Sequence, residues 1–427
     1  MDNIFYEFTE EDDEYLKLKE NVIRYLDNLG KLSKILIVPP DYTRKHSQAG
    51  IITKIIYEEL KDTVKIDILP ATGTHKPITG EEIKDMFGES IPSNLFIDHD
   101  WQNDTVKIGE IPENFLGKIS DGYLNEDLDV EINKLILNKD YDKIISIGQV
   151  LPHGVVGMAN YTKNIVVGCG GKDIINKSHY LGAIYGLERL IGKDHSPVRK
   201  LYDYIEENML KELPIDYILT VNKASISEET GLSGLSGIFI GNNREVFNRA
   251  VSLSQKVNIT YINKSVDKFV VYLNPKEFVS MWLCNKAIYR TRSAIADNGE
   301  IIIVASGLRT IGENDKFDYL IKKYGYVGTD QVVSLVKKNK ELRDNLAVPA
   351  HLIHGSPEDR FEVTYVSDNI SKELINKVGY NYLSLDELNE IYNIAELETG
   401  WNNLGDEDIY YIEDPATGLW VTEDHIS

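Results

Sequence analysis

Residues that can bind anions and transfer protons occur in short clusters along this chain. The first cluster is Asp41–Arg44 (DYTR), in which the carboxylate suits a sugar hydroxyl and the guanidinium suits a carboxylate. The second is Gly73–Lys76 (GTHK), where glycine allows close backbone approach and a histidine, His75, is a residue type suited to general base catalysis. Taken alone, each cluster is better explained by a surface ion pair or a loop histidine than by a site.

The third cluster is the longest, and it begins at His153, passes Lys163 and ends at His179. Gly154 and Gly157 can present backbone N–H groups to a phosphate. The run lacks the Gly-Lys-Ser/Thr ending of a Walker loop and matches none of the usual zinc spacings. A metal site and chance are equally good explanations of its two histidines.

All three clusters follow segments that predict buried β-strands, at Lys34–Val38, Val64–Leu69 and Lys143–Ile147. Strand and helix patterns alternate along the chain, which predicts an α/β fold of mainly parallel sheets flanked by helices. In such sheets ligands gather at the carboxyl ends of the strands. The clusters therefore lie where chemistry is expected.

The remaining elements follow from the same patterns. Further strands are predicted at Ile165–Val167, Tyr217–Val221, Ile238–Ile240, Phe269–Tyr272 and Ile301–Val304. Helices are predicted at Ser47–Leu60, Lys172–Leu190, Arg244–Lys256 and Phe278–Ala296, and Thr79 with Glu82 predicts a capping box. A C-terminal hairpin is predicted from Ile409–Ile412 and Leu419–Val421.

At 427 residues the chain is longer than one hydrophobic core usually supports. We predict an N-terminal catalytic and cofactor-binding domain at residues 1–264 and a C-terminal α/β domain at residues 265–427. The second domain is expected to close over an active site in the cleft between them.

The net charge of −22 disfavours nucleic acid and anionic membrane surfaces as partners. Solubility alone explains such acidity, and a small anionic substrate would need a local positive pocket. The acidic N-terminal segment lacks the order of a secretory signal, and no apolar run reaches the length that spans a bilayer. Two cysteines give no disulfide framework, so we expect a cytoplasmic protein.

Together and in this order, the three clusters resemble the nickel-dependent lactate racemase family. Asp41–Arg44 and Gly73–His75 match two stretches of that family. The most specific match is a histidine, a lysine ten residues on and a second histidine sixteen beyond that, here His153, Lys163 and His179. The similarity covers most of the first predicted domain and continues more weakly to about residue 350.

The resemblance implies a nickel-pincer nucleotide, a pyridinium mononucleotide with two sulfur-containing arms. One arm would be joined to Lys163 as a thioamide, and His179 would complete the coordination of nickel. Imidazole and soft sulfur and carbon donors suit square-planar Ni(II). Asp41 would hold the cofactor ribose, the loop of Gly154 and Gly157 would meet its phosphate, and dedicated biosynthesis enzymes would have to supply it.

By the same resemblance the chain inverts C2 of a small 2-hydroxy acid by reversible hydride transfer. His75 and His153 would be acid–base groups on opposite faces of the substrate. Arg44 and Lys286 would bind its carboxylate, and Lys286 would equally well be an ordinary helix-surface lysine.

Residues expected to line the pocket differ from the lactate-specific pattern. Trp282 and Leu283 replace a Tyr-Gln pair, and Leu346 stands near the position of a tryptophan thought to stack on the cofactor ring. A loop that is normally rich in serine and glycine reads Met158–Thr162 (MANYT) here. We therefore expect the same cofactor, with Trp282 beside a substrate larger than lactate, such as a sugar acid.

Two other functions are considered. A metal-assisted hydrolase would use His75, His153 and His179 to hold zinc and leave one position open for water. A non-catalytic binder of an anionic metabolite would keep the scaffold without turnover. No role is assigned to the remaining histidines: His351 and His354, expected near the cleft, and His46, His99, His195 and His425, expected at the surface or in loops.

Overall fold

The chain folds into two compact units. The computed structural model describes residues 2–227, 229–415 and 418–423. The first unit consists of the residues up to Ser178 together with Ile191–Asn258, and the second consists of His179–Leu190 together with the residues from Ile259 onward. The predicted domains, residues 1–264 and 265–427, remain a prediction.

The first unit is built on a mainly parallel sheet, as the sequence predicts. Its strands are β1 (Ile4–Glu7), β2 (Lys34–Val38), β3 (Lys65–Ile68), β4 (Thr105–Ile111), β5 (Leu128–Asn133), β6 (Lys143–Gln149), β7 (Pro152–His153), β8 (Gly157–Met158), β9 (Ile215–Ile226) and β10 (Ser233–Gly241). The main sheet has the order β1-β10-β9-β6-β2-β3. Strands β9, β6, β2 and β3 are parallel to one another. At one edge of the sheet, β10 is antiparallel to both of its neighbours, β9 and β1. β4 with β5 and β7 with β8 form separate antiparallel pairs.

The helices before residue 259 belong mostly to this unit. They are α1 (Glu14–Asp27), α2 (Ala49–Leu60), α3 (Gly80–Phe87), α4 (Glu113–Ile119), α5 (Thr162–Val166), α6 (Lys172–Tyr185), α7 (Leu187–Leu190), α8 (Pro197–Ile205) and α9 (Arg244–Asn258). The predicted capping box is confirmed, since Thr79 and Glu82 exchange hydrogen bonds at the start of α3. Because the unit boundary falls after Ser178, α6 begins in the first unit and ends in the second, to which α7 also belongs.

Burial on both faces explains the sequence of the central strands. Ile35 and Ile37 of β2 pack in a core with residues of α1 and α2, while Leu36 and Val38 on the opposite face are also buried. A parallel strand covered by helices on both sides reads as a continuous apolar run. This run places the polar residues of the chain after the strand, at the edge of the sheet.

The second unit contains another mainly parallel sheet. Its strands are β11 (Ile259–Ile262), β12 (Val266–Tyr272), β13 (Ile295–Val304), β14 (Glu362–Val366), β15 (Asn381–Leu383), β16 (Gly400–Asn403), β17 (Asp408–Ile412) and β18 (Leu419–Thr422). The order of the sheet is β15-β14-β13-β12-β17-β16, with only β16 antiparallel to its neighbour. β11 and β18 form a separate parallel pair.

The helices of this unit after residue 258 are mostly short. They are α10 (Met281–Cys284), α11 (Lys286–Thr291), α12 (Asp315–Tyr324), α13 (Thr329–Lys338), α14 (Lys340–Arg343), α15 (Ala347–Gly355), α16 (Lys372–Val378) and α17 (Leu385–Ile391). One core of the unit includes Val270, Ile302 and Val366 from three adjacent strands. The α/β pattern of a mainly parallel sheet with helices therefore recurs in this part of the chain.

Two predicted elements are wrong. Ile165–Val167 is not a strand, because residues Thr162–Val166 form α5. The C-terminal hairpin is also wrong, since β17 pairs with β12 and β16 while β18 pairs with β11. Residues 416 and 417, at the predicted turn, lie outside the described residues.

Two predicted helices are interrupted. The helix predicted at Lys172–Leu190 breaks at Gly186, which has φ +99°, a conformation that favours glycine. The helix predicted at Phe278–Ala296 reduces to α10 and α11, and β13 has begun by Ile295. Within the described residues, none of the helices combines the length and the apolar character needed to cross a lipid bilayer.

Candidate functional site

The three clusters of the sequence begin at the carboxyl ends of adjacent strands. β2 lies between β3 and β6, and all three run parallel. Neighbouring strands are about 5 Å apart, so the outer two loops begin about 10 Å from each other. Backbone hydrogen bonds tie the loops together, from Ala71 N to Pro39 O (2.8 Å) and from Gly73 N to Gly168 O (2.8 Å). The sheet therefore brings the first two clusters and the start of the third to one edge, whereas His179, at the end of the third, belongs to the second unit.

Asp41 and His75 form a hydrogen-bonded pair at this edge. Oδ2 of Asp41 lies 2.5 Å from Nδ1 of His75, and Oδ1 accepts a hydrogen bond from Oγ1 of Thr43 at 2.5 Å. The Asp41 side chain is buried, whereas the His75 side chain is 59% exposed. A carboxylate beside Nδ1 holds the proton on that nitrogen, which leaves the lone pair of Nε2 available to accept a proton.

Electrostatics keep Asp41 ionised. Burial alone would raise the pKa of its carboxyl, but the hydrogen bond to His75 and the positive charge of Arg44 outweigh burial, and the pKa is lowered. The carboxylate is therefore charged at any pH near neutrality. This charge fixes the orientation of the neighbouring imidazole.

Lys163 lies close enough to Asp41 and Arg44 for their charges to act on its amine. Burial lowers the pKa of Lys163 to about 8, the charges of Arg44 and Arg199 act in the same direction, and Asp41 opposes them. An amine with this pKa is partly neutral near physiological pH, and a neutral amine is nucleophilic. Lys163 is thus chemically different from an ordinary surface lysine.

His153 occupies a small hairpin and has a different hydrogen-bond environment from His75. It pairs with Gly157 in the β7–β8 ladder, and the turn between them contains Gly154. Nδ1 of His153 accepts a hydrogen bond from the backbone N–H of Val155 at 3.0 Å. In the neutral ring the proton is then carried by Nε2, so His153 presents a donor in this conformation. The positive φ of Gly157, +90°, accounts for glycine at that position.

The chain turns sharply between β8 and the helix that carries Lys163. Asn160 and Tyr161 both have positive φ, +68° and +60°, which is uncommon for residues other than glycine. Oδ1 of Asn160 accepts a hydrogen bond from Tyr161 N at 2.7 Å. The ring of Tyr161 packs against Tyr217 and Phe247, with centroids 4.3 and 5.3 Å away. We call residues Met158–Thr162 the lysine elbow.

Two residues that the sequence analysis did not single out position α5. The side-chain amide of Asn164 donates to Val38 O (3.1 Å) and to Oγ of Ser146 (3.0 Å), which ties the helix to β2 and β6. Gly168 packs so tightly that a Cβ atom there would lie 2.4 Å from Asn164 O and 2.6 Å from Cβ of Ala71. The run Gly168–Gly171 was the visible signal, but its role in packing was not predictable without the strand order.

The other predicted site residues, His179, Lys286 and Trp282, belong to the second unit. His179 is half-buried and acts electrostatically on His354. Nζ of Lys286, at the start of α11, lies 5.5 Å from the centre of the Phe278 ring. These residues are described within their own unit.

Trp282 is stacked against rings of the same unit. The centre of its ring lies 3.9 Å from that of His351, with an angle of 14° between the ring planes. The corresponding values for Phe317 are 5.1 Å and 25°. His351 in turn is buried and within 2.8 Å of the hydroxyls of Tyr289 and Tyr326. Burial lowers the pKa of His351 well below its ordinary value. It is therefore a neutral histidine that supports Trp282.

His99 differs from the prediction of a surface or loop histidine only in its burial. It lies in a loop, but it is 4% exposed, and its ring contacts Gly170 O at 3.2 Å and Nδ2 of Asn133 at 3.0 Å. It ties this loop to the glycine-rich run. His425 lies outside the described residues.

A zinc site is not supported by the arrangement of side chains. Across residues 2–227, 229–415 and 418–423, no three or more histidine, cysteine, aspartate or glutamate side chains are grouped to hold a metal ion. Both cysteines, Cys169 and Cys284, are buried and unpaired as thiols.

Comparisons with known proteins point to one family. Residues 20–188 match the model of the family described as the lactate racemase N-terminal domain. The lactate racemase of Lactiplantibacillus plantarum is 31% identical over 180 residues, which cover 38% of this chain and 39% of the relative. The lactate racemase of Thermoanaerobacterium thermosaccharolyticum is 30% identical over 178 residues, covering 40% and 38%. The chain therefore matches about two fifths of the length of these relatives.

Two solved structures share the fold over nearly the whole chain. A Thermotoga maritima protein superposes with a TM-score of 0.80 at 22% identity, covering 97% of this chain and all of that one. The lactate racemase apoprotein of T. thermosaccharolyticum superposes with a TM-score of 0.70 at 20% identity, covering 98% and 94%. Together they support the mainly parallel α/β fold.

Proposed function

We propose that this chain, whose residues 20–188 belong to the lactate racemase N-terminal domain family, is a racemase or epimerase that inverts C2 of a 2-hydroxy acid. One observation carries the proposal. A carboxylate–imidazole pair, Asp41 and His75, lies at the sheet edge where Arg44 and an amine of lowered pKa, Lys163, also lie. This combination offers a base, an anion-binding group and a nucleophile together.

His75 is proposed as the base that removes the proton of the substrate hydroxyl. Asp41 holds the proton of the ring on Nδ1, so Nε2 can accept one. Once His75 is protonated, the adjacent carboxylate stabilises its positive charge. Its exposed side chain is accessible to a ligand.

His153 is proposed as the corresponding group on the opposite face of the substrate. Since its Nδ1 accepts from Val155, the neutral ring offers Nε2–H as a donor. Acting as a base for the other enantiomer would require the ring to give up the Val155 contact or to bind the hydroxyl proton in another rotamer. The two histidines are therefore proposed to have the same function but different resting tautomers.

Binding of the substrate carboxylate is assigned to Arg44 and Lys286. The guanidinium of Arg44 donates to Thr43 at 3.1 and 3.4 Å and retains further N–H groups for an anion. A negative molecule needs such a local positive group to bind a 2-hydroxy acid.

The cofactor proposed for this reaction is the nickel-pincer nucleotide of the family, supplied by separate biosynthesis enzymes. Lys163 would carry it covalently, and the imidazole of His179 would be a nickel ligand. The amine fits this role, because a pKa of about 8 leaves part of it neutral and able to form a bond to carbon. When bound, such a cofactor supplies a carbon centre that accepts and returns the hydrogen of C2 with its electron pair.

Asp41 would bind the cofactor ribose only as a second task. Both of its carboxylate oxygens already accept a hydrogen bond, from Thr43 and from His75. A carboxylate has about four acceptor positions, so a ribose hydroxyl can still be accommodated. The loop of Gly154 and Gly157 is proposed to meet the phosphate with its backbone.

The proposed substrate is larger than lactate. Trp282 stands where lactate-specific members have a tyrosine, so the pocket wall differs there, and its stacking on His351 and Phe317 fixes its position. Leu346 in place of a tryptophan removes bulk at another position of the pocket. A sugar acid or another extended hydroxy acid suits these exchanges.

The test is production of the chain together with the cofactor-synthesis enzymes, followed by intact mass, nickel content and C2 inversion of a panel of hydroxy acids. We expect a mass increase located on Lys163, bound nickel and turnover without added NAD. Lys163→Ala should lose the adduct and the activity, while Lys65→Ala, which removes an exposed lysine of the same sheet, should retain both. Absence of the adduct and nickel in the wild type would refute the proposal.

Turnover decides between catalysis and simple binding. If hydroxy acids stabilise the cofactor-loaded chain without any inversion, the chain is a binder of anionic metabolites. Hydrolytic activity that survives Lys163→Ala would instead revive the metal-assisted hydrolase.

A further inference from the structure

We propose that the lysine elbow, Met158–Thr162, presents the Lys163 amine as a nucleophile, and that Arg199 is the positioning residue that holds this elbow in shape. The inference deepens the proposed function, because it concerns the residue to which the cofactor would be attached. It applies to the chain before any cofactor is bound.

Arg199 is hydrogen-bonded directly to the backbone of the lysine elbow. Its Nη2 donates to Met158 O at 2.7 Å and to Asn160 O at 3.4 Å, which are carbonyls of the elbow. Arg199 lies on α8, whose N-cap residue Ser196 also donates to Val156 O at 3.0 Å. Residues at the start of α8 therefore hold the backbone of the segment that precedes Lys163 by hydrogen bonds.

The charge of the Arg199 guanidinium is fully buried. Arg199 is 0% exposed, and its other two guanidinium nitrogens, Nε and Nη1, have no hydrogen-bond partner among the described residues. The guanidinium stacks instead over Phe247, 4.3 Å from the ring centre. A buried cation with so few polar partners is costly. Folding alone would be better served by an apolar side chain.

The backbone of the lysine elbow is strained. Asn160 and Tyr161 both adopt positive φ, a conformation that is strained for residues other than glycine. Such a conformation persists only where the surroundings hold it. Arg199 holds the carbonyl of Asn160, while Tyr217 and Phe247 hold the ring of Tyr161.

The charges of nearby side chains act on the Lys163 amine, which agrees with the contacts described above. The groups that act on the Lys163 amine are the cations of Arg44 and Arg199 and the carboxylate of Asp41, in addition to burial. A cation near an amine favours its neutral form. Arg199 thus both shapes the elbow and favours the reactive form of the lysine.

The arrangement is comparable in shape to the strand–turn–helix elbow that exposes a nucleophilic serine in hydrolases. Here the turn follows β8 and the nucleophile is the second residue of α5. The chemistry that fits is acyl transfer to an amine. The bond formed joins Nζ to a carbonyl-type carbon, and the leaving group departs from that carbon while Nζ loses a proton.

The test measures acetylation of individual lysines in the cofactor-free chain by an N-hydroxysuccinimide ester over a range of pH. In this reaction an N–C bond forms, the ester C–O bond breaks and N-hydroxysuccinimide leaves. Peptide mass spectrometry reports each lysine separately. We expect half-maximal reactivity of Lys163 near pH 8, below that of the exposed lysines in the same digest.

Arg199→Gln removes the charge but retains an N–H donor for the elbow. We expect the Lys163 midpoint to rise, because Arg199 is one of the charges that lower the pKa of this amine. A rise of about one pH unit would reduce its acetylation at pH 8 roughly fivefold. Arg199→Lys, which retains the charge, should remain close to the wild type. Arg244→Gln is the matched control, because Arg244 lies 4.8 Å from the same Phe247 ring and bonds to Asp194 instead of the elbow.

An unchanged midpoint in folded Arg199→Gln would overturn the role of Arg199. If that variant does not fold, the wild-type profile decides, since a Lys163 midpoint at the ordinary lysine value would overturn the nucleophile itself. The outcome is separable from the proposed function. A reactive Lys163 in a chain that never acquires the cofactor would contradict only the proposed function. An unreactive Lys163 in the cofactor-free form of a chain that does acquire the cofactor when it is produced with the synthesis enzymes would contradict only this inference.

Discussion

At the scale of single residues, the two proposed acid–base histidines are held by opposite kinds of partner. A carboxylate accepts from Nδ1 of His75, whereas a backbone N–H donates to Nδ1 of His153. The first arrangement prepares a proton acceptor and the second prepares a proton donor. Residue types and spacing identified both histidines, but not this difference.

Asp41→Asn should reduce turnover while leaving substrate binding nearly unchanged. An amide in place of the carboxylate no longer selects the Nδ1–H form of His75 or stabilises its protonated form, so kcat should fall by roughly 10²- to 10⁴-fold. Asp85→Asn is the control, because Asp85 bonds to Tyr42 and Lys45 of the same loop and has no recorded bond to His75. Steady-state kinetics of the loaded enzyme provide the measurement, and equal kcat values for Asp41→Asn and wild type would contradict the assignment.

The same carboxyl should make stability depend on pH in the acidic range. Its pKa in the folded chain is below the ordinary value of 3.8, so folding favours the ionised form. The stability it contributes is fully present above the unfolded pKa and is lost as pH falls through the folded value. Urea unfolding of wild type and Asp41→Asn should therefore differ most near neutral pH and converge below about pH 4. A difference that grows on acidification would contradict this sign.

The spacing of residues along the chain limits what could be inferred at this scale. Asp41 and His75 were both candidates, but they are 34 residues apart and meet only because β2 and β3 are adjacent and parallel. Arg199 was not a candidate, since a single arginine in an amphipathic helix is usually solvent-exposed. Only the packing of α8 against the elbow reveals its burial.

At the scale of elements, the order of strands explains the site better than any single motif. The runs at Lys34–Val38 and Lys143–Ile147 were correctly predicted as buried strands, because continuous apolar runs before loops are typical of parallel sheets. Ile165–Val167 has the same composition but belongs to a short helix. Periodicity cannot separate a buried strand from a buried helical turn over three residues.

The contact of α5 with the loop after β3 should be sensitive to one added methyl group. Gly168→Ala would place Cβ 2.4 Å from Asn164 O and 2.6 Å from Ala71 Cβ, so the loop that carries His75 must move. We expect a loss of about 1–3 kcal/mol in the free energy of unfolding. We also expect a loss of activity, because the loop that moves carries His75. Gly80→Ala is the control, since a Cβ there has no atom within 4 Å. Denaturant unfolding measures both, and equal stabilities would contradict the packing.

At the scale of the whole molecule, the chain passes between its two units more than once. The first unit is interrupted by His179–Leu190, which belongs to the second, and is completed by Ile191–Asn258. No change of composition marks this excursion, which is why one boundary near residue 264 was predicted. Contacts distant in sequence decide such a division, and they are not visible in local patterns.

Replacing residues 179–190 by a glycine–serine linker of equal length should leave a chain ending at residue 258 able to fold. That chain retains β9 and β10, which pair with β6 and β1 of the main sheet. A chain that ends at residue 178 lacks both strands, and we expect it not to unfold cooperatively. Circular dichroism during urea unfolding compares the two, and cooperative unfolding of the shorter chain would contradict the division.

The unequal settings of His75 and His153 have a thermodynamic consequence for the proposed enzyme. Mirror-image substrates have the same free energy, so the equilibrium constant between them is one, and kcat/KM must be equal in the two directions. Whatever advantage Asp41 gives one direction must then be balanced, with the enantiomer that turns over faster also showing the larger KM. Diastereomeric sugar acids are free of this equality, and their ratio of kcat/KM reports only their own difference in free energy.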